Sequence, residues 1–156
     1  MAEVMRLERK VNISVLKFLK NLYADTAFIN VVDGFPETEF SLPTIALEYD
    51  DITLEPSELG NRIHERVFYW FVDIFASNKA QRDEFGFKLI EALETDKIPV
   101  YDFAEVVPPS SDPTIINYLD IENIELHPVK VFPELTEKMY YRAYVKFVGK
   151  LIKATE

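Results

Sequence analysis

Two histidines, His64 and His127, are the first residues to weigh for chemistry, because imidazole titrates near neutral pH and is the commonest metal ligand. Neither has a second histidine or a carboxylate at the i, i+4 spacing of a helical metal pair, so both read as structural or surface residues. The carboxylate groupings Asp50-Asp51, Glu37/Glu39 and Glu122/Glu125 carry the oxygen donors that Mg²⁺ or Ca²⁺ takes. Adjacent carboxylates on a strand point to opposite faces, however, and no D-x-D-x-D-G string is present, so we expect no metal site. The glycines Gly34, Gly60, Gly86 and Gly149 are too far apart for a G-x-G-x-x-G or a P-loop, and no G-x-S-x-G elbow occurs. With no cysteine, a disulfide scaffold, a thiolate metal site and a Cys nucleophile are excluded together. The expectation is a protein without catalytic residues or cofactor.

What remains is contact chemistry. Tyr140, Arg142 and Tyr144 fall on one face of a C-terminal alternating segment, the face its core does not need. Tyr and Arg are the side chains most enriched in binding hot spots; the competing reading is amphipathic side chains over a solvated sheet. Tyr69 and Phe71 belong to the second face of a strand that is apolar on both sides, where Phe68, Trp70, Val72 and Ile74 make the first. Such a strand sits mid-sheet with both faces covered, either by the domain's own helices or, on one side, by a neighbouring subunit. Asp73 interrupts that second face, and it either pairs with a nearby base or marks where the face meets water.

These residues need elements to position them. Leu7, Val11, Val15, Phe18 and Leu22 recur at helical period, so residues 1–24 hold an N-terminal helix, whose stripe Ile13, Leu16 and Leu19 widen. Residues 43–54 alternate as a strand and residues 62–76 form the doubly apolar one, with Pro56, Gly60 and Asn61 in the loop between. Asn78 followed by Gln81 reads as a capping box opening a central helix with the stripe Phe85, Leu89, Ala92 and Leu93, ended at Lys97-Ile98-Pro99. Val100–Phe103 reads as a short edge strand, and residues 104–114, with three prolines, as a stiff extended loop. Segments 115–132 and 137–149 are the last strands; the second sets Met139, Tyr141, Ala143, Val145 and Phe147 toward the core. Strands and helices do not alternate as βαβ units. The fold class is therefore α+β, a mainly antiparallel sheet flanked by the N-terminal and central helices, in one domain over 1–156.

Composition sets the bounds. With 48% apolar and 13% aromatic residues the 156-residue chain folds rather than staying disordered. No apolar run approaches a membrane span, and the segment bearing Glu3, Arg6, Glu8 and Arg9 lacks a signal-peptide core, so we expect a soluble intracellular protein. The net charge of −10 is unevenly spread: residues 25–61 carry nine acids and no base, while the two ends are mildly basic. Neither end is dense enough in Lys and Arg for a nucleic-acid stripe.

An N-terminal helix, LPTIALEYDDI (42–52), ERVFYWFVDIFASNKAQRDEF (65–85), FGFKLIEALE (85–94) and IPVYDF (98–103) in that order resemble the tail-terminator, or tail-completion, proteins of long-tailed bacteriophages. The resemblance covers roughly residues 5–103; the C-terminal third matches only in having further strands. It implies a virion protein without chemistry, present in the host cytoplasm during assembly. Such proteins form a six-membered ring on the last ring of the tail tube, stop its polymerisation and present a surface to the head's neck. Implied partners are copies of the chain itself, the tail-tube protein and a neck or head-completion protein, with genomic DNA passing unbound and no membrane involved. On that reading Tyr69, Phe71, Tyr140, Arg142 and Tyr144 are interface candidates. Glu37, Glu39, Asp50 and Asp51 are candidates for an acidic lumen that repels DNA phosphates. The alternatives are another neck ring protein, of the head-completion or stopper kind, and a small-ligand-binding α+β protein.

Overall fold

A computed structural model describes residues 6–34, 41–56, 64–102, 114–129 and 141–152. Glu37, Glu39, Tyr140, Met139, the Gly60-Asn61 loop and residues 104–113 of the proline-rich loop lie outside the described residues. The elements run α1 (Leu7–Leu22), β1 (Asn30–Asp33), β2 (Thr44–Pro56), β3 (His64–Ala76), α2 (Lys79–Thr95), β4 (Ile98–Tyr101), β5 (Ile115–Val129) and β6 (Tyr141–Leu151). The six strands form one sheet in the order β1-β2-β3-β6-β5-β4, antiparallel throughout except for the parallel β1–β2 pair. This is an α+β fold dominated by a curled, mostly antiparallel sheet.

Burial explains why each segment folds as it does. In α1 the fully buried positions are Val11, Val15 and Leu19, with Ser14 beside them; Leu7, Phe18 and Leu22, on the expected stripe, are only partly buried. Asn78 caps α2, its Oδ1 accepting from Gln81 N at 2.8 Å, while Gln81 Oε1 accepts from Ser77 N rather than from the cap residue itself. The central helix ends at Thr95, earlier than the sequence indicates. Ile98 and Pro99 already belong to β4, where a proline is tolerated because the strand lies at the sheet edge.

The two helices share one core. Val11, Val15 and Leu19 of α1 join Phe85, Leu89 and Leu93 of α2 in a single cluster with Phe68, Trp70, Val72, Ile74, Val145 and Phe147. Tyr23, just past α1, donates its hydroxyl to Phe85 O at 2.7 Å, and burial pushes its pKa well above the ordinary phenol value. Helix α1 also bridges the two edges of the curled sheet. Arg9 pairs with Asp33 of β1 at 3.2 Å. Lys10 pairs with Asp102, next to β4, at 2.6 Å, and Ser14 Oγ accepts from Tyr101 N at 3.0 Å. The β4 edge thus loses part of its exposed backbone to a helix side chain. Among the described residues, no helix is long and apolar enough to cross a membrane.

Candidate interaction surface

Helices cover the side of the sheet that carries Phe68, Trp70, Val72 and Ile74; the alternate residues of the same strands face the other way. Register sets Tyr69 opposite Val148, Phe71 opposite Lys146, Asp73 opposite Tyr144 and Phe75 opposite Arg142. On the flanks, Glu48 lies opposite Phe71 from β2, and Glu125 opposite Lys146 and His127 opposite Tyr144 from β5. Aromatic β3 and basic β6 therefore form the middle of this face, with acidic strands on either side.

Short contacts bind the face together. Arg142 Nη2 and Nε both donate to Asp73 Oδ1, at 2.7 and 3.2 Å, and the guanidinium carbon lies 5.3 Å from the Phe75 ring centre. Asp73, its side chain only 9% exposed, is thus a paired ion beneath an arginine. Tyr144 meets Phe71 edge-on at 6.4 Å and stacks against His127 at 5.0 Å. His127 Nε2 lies 3.4 Å from Glu125 Oε1, and Lys146 Nζ lies 5.8 Å above the Phe71 ring.

A cleft of about 530 Å³ opens on this face, lined by Asp50, Tyr69, Phe71, Glu125, Lys146 and Val148, with Asn123 and Ile124 at its border. It also touches Trp70 and Phe147, whose side chains belong to the core cluster on the helix side. Two breaks in strand register make room for it. The β2–β3 pairing shifts between Tyr49 and Asp51, and the β5–β6 pairing between Glu122 and Glu125, where Asn123 takes φ 52°. The first break corrects an expectation. Because Asp50 is an additional residue in β2, strict alternation fails there; Asp50 lines the cleft while Asp51 is registered opposite Tyr69.

The structure brings Tyr69, Phe71 and Asp50 to one cleft and sets Arg142 and Tyr144 on the same face beside it. Arg142 is occupied by Asp73, so its charge is not free for a partner. Sequence reading missed Lys146, Val148, Glu125 and Asn123 as cleft residues. The available signal was weak: Lys146 sits at the outward positions of β6, and Asn123 is a residue type that tolerates left-handed backbone. Among the described residues no group of three His, Cys, Asp or Glu side chains is placed to hold a metal ion. The face offers rings, paired charges and a recess of mixed apolar and charged lining. No protein-family model matches the chain, and no curated protein matches it.

Proposed function

We propose that the chain is a structural virion protein whose copies form a ring on the end of a phage tail tube, stopping tube growth and offering the neck a surface. One observation carries the reading: a sheet face rich in aromatic and paired charged side chains, on the side opposite both helices of the described residues. A lone chain gains little from such a face, whereas a subunit uses it against a neighbour or a tube end. The order of segments from α1 to β4, and its resemblance to tail terminators, gives that face its partner. Asp50 and Asp51 are exposed on β2; Asp51, with Glu37 and Glu39, keeps the assignment to a DNA-repelling lumen, whereas Asp50 lines the cleft.

Electron microscopy of particles assembled without the protein tests this reading against its nearest rival. A terminator leaves overlong or ragged tails when absent. Normal tails beside leaking heads identify a head-completion or stopper protein instead. The cleft favours one further reading, since its volume falls within the range of small-molecule pockets. A metabolite recovered in equal amount with the purified chain supports that alternative.

A further inference from the structure

Phe28 projects from the turn between α1 and β1 with 92% of its surface exposed, far more than any other large apolar residue described. Its backbone is left-handed, φ 62°, a conformation that disfavours bulky side chains and that the turn nonetheless imposes. Thr26 N donates to Tyr23 O at 3.1 Å and Asn30 N to Pro43 O at 3.1 Å, so the turn is tied to α1 on one side and to the start of β2 on the other. Residues 26–32 (TAFINVV) contain no charge, in a chain of net charge −10. The tip is a neutral, aromatic knob.

The cleft on the other sheet face is its complement: Tyr69, Phe71 and Val148 supply rings and apolar lining, with Ile124 at the border and Asp50, Glu125 and Lys146 also contributing. A neutral tip enters beside two acids without setting like charges together, which most of this acidic surface could not do. Phe28 cannot fill the cleft of its own chain. Asn30 is registered with Thr44 at the beginning of β2, and from Thr44 to Asp50 the strand advances about 20 Å. We infer that Phe28 of one copy inserts into the Tyr69–Phe71–Val148 cleft of the next. Knob and cleft lie on different surfaces, so each copy gives one contact and receives one, the head-to-tail arrangement from which rings are closed. The inference rests on the ring reading and names the contact that builds the ring.

Single-cysteine variants test it, because the native chain has no cysteine and every disulfide must then join two copies. Phe28→Cys and Val148→Cys are prepared separately, mixed at a concentration at which the unsubstituted chain assembles in sedimentation, and oxidised. The expected product is dominated by 28–148 links, with few 28–28 or 148–148 links in either variant alone. Phe28→Ser is expected to lower the assembled fraction about tenfold or more with unchanged thermal unfolding of the single chain. Links distributed by chance, or Phe28→Ser chains that assemble like the parent, overturn the knob and leave the ring reading standing. An unsubstituted chain that stays single at every concentration, with and without tail tubes, overturns both.

Discussion

Asp73 and Arg142 show how one residue pair can serve fold and surface together. A carboxylate within β3 is tolerated because an arginine diagonal to it on β6, registered opposite Phe75, supplies two donors to one oxygen and sets its guanidinium carbon 5.3 Å from the Phe75 ring centre. Replacing Arg142 with Ala leaves that carboxylate buried and unpaired. Stability should fall by about 3 kcal/mol, at the lower edge of the buried-pair range because Arg142 keeps 21% of its side-chain surface in water. Urea unfolding of dilute protein measures the loss, and Arg142→Lys should recover part of it, since an ammonium restores charge but not the two-donor guanidinium contact. An Arg142→Ala chain as stable as the parent contradicts this account. From the sequence, Asp73 was legible as a residue needing a base or an exit to water. Its partner was not, because the two lie 69 positions apart and only the β3–β6 register joins them. The interface candidate Arg142 is thereby better understood as the cover over Asp73, with Tyr144, Lys146 and the cleft beside it as the open part of the face.

At the scale of elements, the β3–β6 pair depends on a close approach at Gly149. A Cβ there would stand 2.6 Å from Trp70 Cζ3 and 3.3 Å from Ile121 Cδ1. Trp70 has no room to yield. Its Nε1 donates to Asn12 Oδ1 at 2.9 Å, and its ring lies between Phe68 and Phe147, each 5.3 Å away. Gly149→Ala should therefore cost about 1–3 kcal/mol through forced shifts in a packed core, read as a lowered melting temperature; an unchanged melting temperature is the contrary result. Long periodic elements were readable in advance, because burial enforces period in α1, α2, β3 and β6. Strand β1 was not, since Asn30–Asp33 is too short to show a period and is held by pairing with β2. The end of α2 was misplaced because Pro99 reads as a helix stop when it is in fact an edge-strand residue. The breaks at Asp50 and Asn123, which open the cleft, are set by pairing between distant strands, so periodicity along either strand alone could not reveal them.

For the whole molecule, the consequence of this topology is asymmetry. Both helices of the described residues and the main core occupy one side of the curled sheet, and α1 ties its two edges. On the opposite side Val67, Asp73 and Phe75 are buried, while Tyr69, Phe71, Tyr144, Lys146 and Val148 stay partly exposed, and the proposed association uses that part. Net charge −10 sets copies against one another at long range, which favours assembly only where neutral and aromatic groups meet, or on a template such as a tube end. The most direct measurement adds purified protein to tail-tube subunits during polymerisation and follows tube length by electron microscopy, with sedimentation to recover the capped tubes. The account predicts tubes that stop growing on addition, each carrying a ring of the protein at its end and bringing it down in the pellet. Tubes that lengthen as they do without it, with the protein left in the supernatant as single chains, would contradict it.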